Sequence, residues 1–356
     1  MSTTLIEDPM THEHKNLQEY YGRILRSNRD LKTDACCSID SLPLRHREIL
    51  REIEPEILQK FYGCGSPIPP ALEGCTVLDL GCGTGRDVYV MSRLVGPDGH
   101  VIGVDMTDEQ LDVAQRHLET QTKRFGYAQP NVSFKKGFIE DLCGVGIEDQ
   151  SIDVVVSNCV INLSPQKPRV FSEIFRVLKP GGEMYIADIF ADRRLPSSLM
   201  DDPVLHGECL AGAMYIEDFR RLLQQLGCPD FREVTQRRVA VNNKEIESKV
   251  GMASFYSVTV RAFKLDSLED RCEDYGQVAY YSGTIADQPH GFLLDDHHVF
   301  STGQPMLVCG NTAAMLEETR FSKHFHIRGD RSTHFGLFDC SGKPDRSTDP
   351  SNTACC

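Results

Sequence analysis

Four cysteines, Cys36, Cys64, Cys159 and Cys209, lie far apart in the chain, and the run VLDLGCGTGRD stands between the second and the third. Thiolates are nucleophiles and ligands for soft, thiophilic atoms. A glycine-rich run lets the backbone turn tightly and approach a ligand closely. Taken singly, a free cysteine reads as a small buried hydrophobe. Taken with the glycine run, the thiols point to a protein that holds a nucleotide-like molecule beside something sulfur binds.

The glycines are spaced G-x-G-x-G, as Gly81, Gly83 and Gly85, with Asp79 two residues ahead of the first. That spacing departs from the G-x-G-x-x-G of dinucleotide sites and favours S-adenosylmethionine. An acidic residue, Asp105, ends the next apolar segment 20 positions after Gly85. An acid there commonly binds ribose hydroxyls.

These residues need a scaffold. From Thr76 the pattern alternates strand and helix. TVLDLG, HVIGVDM, NVSFKKGFI, IDVVVSNCVI and EMYIADIF read as five strands. RDVYVMSRLV, a helix from an N-cap at Thr107 to about Lys123, and QKPRVFSEIFRVLK read as the intervening helices. This order implies a parallel sheet covered on both faces. In such sheets ligands bind outside the carboxyl ends of the strands. Cys159, directly after the fourth strand, is therefore expected to face the cofactor. Upstream, KNLQEYYGRILRS and LRHREILREIEPEILQKFYG read as helices, with Cys36 and Cys37 on the polar loop between them. Downstream, YIEDFRRLLQQLG is a helix, and FREVTQRRVAV and ASFYSVTVRAF are the last sheet strands, joined by the helix NNKEIESKV. Beyond a charged connector, QVAYYSG, GFLLDDHHVF and PMLVCG read as short strands before a helix over 312–321. His297 and His298 would point to opposite faces of a strand, so they make no joint metal site.

Composition narrows the function. The chain has 356 residues, 40% of them hydrophobic, enough for a normal core. Its net charge is -14 with no long basic run, which argues against nucleic-acid and anionic membrane partners. MSTTLIEDPMTHEHK lacks the apolar core of a secretory signal, and no apolar run reaches membrane-spanning length. A cytoplasmic location is expected. There the 14 cysteines are core residues, soft-ion ligands or redox groups rather than a disulfide framework. Cys75, Cys143, Cys228, Cys272 and Cys309 read as ordinary core or surface residues.

Through VLDLGCGTGRD, GFIEDL, DVVVSN and RVLKPGG the chain resembles the S-adenosylmethionine-dependent methyltransferases over about residues 60–190. YYGRILRSNRDLKTDACC, FYGCG, SNCVINL and GECLAGAMY narrow the likeness. Together they resemble the arsenite methyltransferases from about Tyr20 to Lys264, and more weakly to about Gly329. The resemblance implies cofactor contacts from Tyr62, Asp79, Gly81, Cys82, Gly83, Asp105, Met106, Gln110, Phe138, Ile139, Glu140 and Asn158. Phe138, Ile139 and Glu140 would flank the adenine, and Asn158 the methionine part. It also implies arsenic chemistry at Cys36, Cys64, Cys159 and Cys209, with Cys64, Cys159 and Cys209 as ligands. Cys37 leaves the first of these assignments ambiguous by one position.

The expected architecture is thus an α/β, doubly wound, Rossmann-like methyltransferase sheet with additions at both ends. N-terminal helices and a mobile cysteine loop occupy 1–70 and the cofactor-binding core 71–195. An arsenic-binding region with the last sheet strands covers 196–265, a small α+β domain 266–335, and a disordered cysteine-ended tail 336–356. The expected activity is stepwise methylation of arsenite and methylarsenite, sustained by glutathione or thioredoxin, in a monomer. Inorganic arsenite offers three positions to thiolate and methylarsenite two. On that basis Cys159 and Cys209 form the core pair, Cys64 is the third ligand, and Cys36 exchanges the arsenical or forms a transient disulfide with Cys64. Two rivals stand beside this reading. One is a methyltransferase of a lipid, quinone or other small organic acceptor. The other is a non-catalytic arsenic-binding protein that keeps the cofactor fold.

Overall fold

The computed structural model describes residues 14–15, 17–19, 42–61, 67–196, 198–199, 202, 205, 209–240 and 244–339. Residues 14–15 and 17–19 are helical, and the short helices α1 (Leu44–Arg51) and α2 (Pro55–Gln59) follow ahead of the sheet. Pro55 opens α2 at a first-turn position, where its missing N–H costs no hydrogen bond.

The sheet proper is built from β1 (Thr76–Leu80), α3 (Arg86–Val95), β2 (His100–Asp105), α4 (Asp108–Arg116), α5 (Leu118–Arg124), β3 (Val132–Lys136), β4 (Ile152–Asn158), α6 (Lys167–Val177) and β5 (Leu178–Ala191). Then come β6 (Met214–Tyr215), α7 (Ile216–Gln225), β7 (Phe231–Val239), α8 (Lys244–Val250) and β8 (Phe255–Phe263). The strand order is β3-β2-β1-β4-β5-β8-β7, with β6 against the end of β5. β3, β2, β1, β4 and β5 run parallel, and β8 and β7 close the edge antiparallel. The order reverses between β1 and β4, so the carboxyl ends of these two strands flank a topological switch point.

Period-two alternation sends neighbours to opposite faces. Val77, Val101, Val154 and Val156 meet Val88, Tyr89 and Met91 of α3 and Ile49 and Leu50 of α1. Leu78, Leu80 and Val155 meet Val170, Phe171 and Ile174 of α6 and Phe219 and Leu223 of α7. A third apolar cluster caps the carboxyl end of the sheet and contains Cys159, Leu163, Ile189, Cys209, Leu210 and Phe255. These clusters fix the strand ends from which the functional residues project.

The C-terminal unit comprises β9 (Glu273–Asp274), β10 (Gln277–Tyr281), β11 (Gly291–Leu293), β12 (Val299–Ser301), β13 (Pro305–Val308), α9 (Gly310–Glu317), β14 (Phe325–Arg328) and β15 (Gly336–Leu337). β10 is the centre of an antiparallel trio with β13 and β14, while β11–β12 and β9–β15 form separate pairs. Arg261 of β8 is fully buried and ties this unit to the sheet. Its guanidinium donates to Glu183 of β5 at 2.6 Å and to the Leu294 carbonyl at 2.8 Å. Arg320 pairs with the same glutamate.

Several expected boundaries move. The third strand ends at Lys136, where the last ladder bond runs from the Gly137 N–H to the Asp105 carbonyl. The helix expected from Thr107 to Lys123 is two helices meeting at His117, and Thr107 makes no side-chain cap bond. β5 begins at Leu178 and absorbs Pro180-Gly181-Gly182, which were expected to end the preceding helix. His297 and His298 occupy a turn between β11 and β12, not a strand. Both of their amides donate to Asp295, and the His298 ring bonds the same carboxylate. No helix among the described residues is long and apolar enough to cross a membrane.

Candidate active site

At the switch point β1 ends and the chain enters the glycine loop. Gly81, Gly83 and Gly85 all have positive φ, at 71°, 53° and 81°. A Cβ on Gly81 would collide with Val160, and one on Gly85 would lie 2.9 Å from the Phe134 ring. Both positions therefore require glycine by conformation and by space. Above the loop lies a cleft open to solvent. Asp79, Gly81, Cys82, Gly83, Asp105, Met106, Gln110, Phe138, Ile139, Glu140 and Asn158 all line it. Tyr62 lies outside the described residues.

The charge of this cleft is specific. Asp79, Asp87 and Asp105 surround the loop, and all three line the cleft. Asp87 is paired with Arg86 and accepts a hydrogen bond from Asn158 at 3.2 Å. Asp79 is 4% exposed and has no ion-pair partner among the described residues. Burial, then the negative charges of Asp87 and Asp105, push its carboxyl well above the usual carboxylate range. Asp105 accepts the Gly83 and Thr107 N–H groups at 2.9 and 2.8 Å, which pins the loop to the start of α4. Burial also raises Asp105, and those hydrogen bonds oppose the rise. A buried, uncompensated carboxylate beside a second one favours a cationic occupant. S-adenosylmethionine carries its positive charge on a sulfonium and an ammonium group, so the residues present fit it.

The rim holds residues that the sequence did not single out. His14 stacks at 4.5 Å on Phe138 and lies 3.4 Å from Glu140. Ser164 also donates to Glu140. These partners pull the Glu140 carboxyl below its ordinary value against the opposing effect of burial. Gln18 donates to the Met106 carbonyl at 2.8 Å. An acid placed directly after the glycine loop, as Asp87 is, carried a readable signal. His14 and Ser164 carried none, because neither lies in a motif.

Cys159 leaves the end of β4 and lines the cleft. Cys209, 50 residues on, packs behind Cys159: the Cys209 thiol donates to the Cys159 carbonyl at 3.0 Å. Both are buried, at 5% and 4% exposure. Both have left-handed backbone, with φ of 56° and 63°. A non-glycine residue there costs roughly 1–2 kcal/mol, so the surroundings must hold each in place. The Cys159 N–H bonds the Ala187 carbonyl of β5 at 2.8 Å. The Asn162 amide donates to Asp188 at 2.7 Å, to the Ile189 carbonyl at 2.6 Å and to the Cys209 carbonyl at 3.5 Å. Burial raises the Asp188 carboxyl to about 7. The neighbours of the two sulfurs are largely apolar, with Leu17, Leu163 and Met106 shared between the cleft and the third cluster. Cys209 is in no disulfide, whereas the Cys159 sulfur is disulfide-bonded. Cys36, Cys37 and Cys64 lie outside the described residues, as do His206 and Glu208.

Comparison with known proteins narrows what this arrangement serves. A methyltransferase-domain profile matches residues 71–227. An arsenite methyltransferase C-terminal domain profile matches 274–354. An arsenite methyltransferase of Aquipseudomonas alcaligenes is 51% identical over 92% of this chain and 95% of its own length. The chain belongs to the arsenite methyltransferase family. The Homo sapiens member is 40% identical over 94% of this chain and 90% of its own. The crystal structure of an arsenic(III) S-adenosylmethionine methyltransferase from Chlamydomonas reinhardtii aligns with a TM-score of 0.81 at 51% identity. That alignment covers 84% of this chain and all of the other. The family's fold is the one described above, a Rossmann-like methyltransferase sheet followed by a smaller C-terminal unit.

Proposed function

We infer that this protein transfers methyl groups from S-adenosylmethionine to trivalent arsenic, converting arsenite to methylated and dimethylated species. The observation that carries the reading is the meeting of two distant cysteines, Cys159 and Cys209, of which Cys159 lines a cleft suited to a cationic cofactor. When bound, the cofactor supplies an electrophilic methyl group.

The chain's own residues do the rest. Asp79 and Asp105 attract and hold the positive charge, and the glycine loop gives it close backbone contact. Asp105 faces the ribose, Phe138, Ile139 and Glu140 the adenine, and Asn158 the methionine end. Tyr62, Met106 and Gln110 complete the contact. Thiols displace hydroxide from arsenic, each thiol proton leaving with an oxygen ligand as water. Cys159 and Cys209 then hold the arsenic lone pair toward the cleft, and alignment supplies the rate. The apolar surroundings keep water from the reacting atoms. Cys64 is the third ligand of inorganic arsenite, and Cys36 exchanges the arsenical from its loop. No general base is needed, because the arsenic lone pair carries no proton.

The disulfide at Cys159 supports a reductant as co-substrate. Two electrons from two glutathione molecules, or from one thioredoxin dithiol, reopen it as thiols by thiol–disulfide exchange. The working division puts the cysteine loop in 1–70, the cofactor core in 71–195 and arsenic binding in 196–265. Arsenic detoxification in the cytoplasm is the biological role this chemistry supports.

The test is incubation with arsenite, glutathione and methyl-labelled cofactor, followed by arsenic speciation. Labelled mono- and dimethylated arsenic is expected. Cofactor consumption by a quinone or lipid acceptor, with arsenic left unmethylated, would overturn the reading.

A further inference from the structure

Cys272 and Cys309 were expected to be unremarkable, yet the fold brings them together. Cys309 caps the N-terminus of α9, where its sulfur accepts the Thr312 N–H at 3.4 Å. The Cys272 thiol, just ahead of β9, hydrogen-bonds the same sulfur. Arg232 of β7 approaches it at 3.9 Å, and the Thr312 hydroxyl at 3.3 Å. Arg232 is itself fixed by Asp230 at 2.7 Å and Asp295 at 2.9 Å. Cys309 is fully buried and Cys272 is half-buried, so the pair opens to solvent on the Cys272 side. Both are thiols, not a disulfide. The Cys272 hydrogen bond, and after it the Arg232 charge and Thr312, lower the Cys309 thiol to about 5 against the effect of burial. A thiolate at neutral pH beside a second thiol is a ligand pair for a soft atom.

We propose that Cys272 and Cys309 form a second arsenical site, at the seam between the β7 edge and the C-terminal unit, that takes a methylated trivalent arsenical. The inference rests on the reading that this chain handles such species. Two sulfurs match an arsenic atom whose third position is already a methyl group. The other groups at Cys309, a hydroxyl and a guanidinium, do not replace a thiolate on a soft centre. In the binding step two As–O bonds break and two As–S bonds form. The Cys272 thiol proton leaves with one hydroxide as water, the hydroxide displaced by the Cys309 thiolate takes its proton from solvent, and arsenic stays trivalent. The site would hold the first methylated product away from the catalytic pair.

The test loads full-length protein, reduced with a phosphine, with methylarsonous acid and counts arsenic per chain by intact-mass spectrometry after gel filtration. Cys272→Ser should carry about one arsenic fewer than wild type, and Cys309→Ser should match it. Cys272 is partly exposed, and retained S-adenosylmethionine binding shows that its variant is folded. Cys209→Ser should lose a separate equivalent, additive with the first. An unchanged count in Cys272→Ser, with the Cys209→Ser loss intact, overturns this site alone. No uptake by wild type would overturn the arsenical reading along with it.

Discussion

At the scale of single residues, the account rests on two sulfurs and a few carboxylates. Replacing Cys209 by serine removes a soft ligand while leaving the cleft intact. Methylation of both arsenite and methylarsenite should fall by about 100-fold or more, with S-adenosylmethionine affinity unchanged in equilibrium dialysis. Cys64→Ser should instead impair arsenite more than methylarsenite, and equal losses would contradict its role as third ligand. The Asp79 carboxyl is raised in the free protein, and a bound cation favours its ionised form, so binding releases a proton. Cofactor affinity should therefore climb as pH rises through the elevated Asp79 value and level off above it. Asp79→Asn should weaken binding by about tenfold, or about 1.4 kcal/mol, and remove that part of the slope. Titration calorimetry across pH checks both.

At the scale of elements, the glycine loop and the strand ends set the geometry. Gly81→Ala would force a left-handed alanine against Val160. Cofactor binding should weaken by about tenfold or more, for a strain of roughly 1–2 kcal/mol. The strands of this sheet were legible because runs such as VLDL and DVVV are apolar on both faces, as a doubly covered sheet demands. The glycine loop and Asp105 were legible by spacing. The ends of elements were less so. Nothing local in GFIEDL says that the strand stops at Lys136, or that Cys309, not a residue further on, caps α9. The pairing of Cys159 with Cys209 was legible only by resemblance. It depends on an asparagine that ties Asp188, Ile189 and Cys209 together. Cys272 with Cys309 was illegible for the same reason: contacts between distant segments leave no periodicity.

At the scale of the whole molecule, a buried ionic cluster joins the methyltransferase sheet to its C-terminal unit: Glu183 of β5 pairs with Arg261 of β8 and with Arg320, and Arg261 bonds the Leu294 carbonyl. Arg261 and Glu183 are both fully buried. Arg261→Ala leaves the buried Glu183 carboxylate to Arg320 alone and removes the bond to the Leu294 carbonyl, and it should cost about 3 kcal/mol in urea denaturation. The overall charge of -14 would steer an ionic substrate but not neutral arsenous acid. The kcat/KM for arsenite should therefore change by less than about twofold between low and high salt. The central claim is that sulfurs from two distant segments hold arsenic over the cofactor cleft. It is tested most directly by arsenic anomalous diffraction from reduced crystals soaked with methylarsenite and S-adenosylhomocysteine. The account predicts an arsenic peak bonded to both Cys159 and Cys209 and facing the cofactor sulfur. Arsenic bound elsewhere, with those two thiols unoccupied, would contradict it.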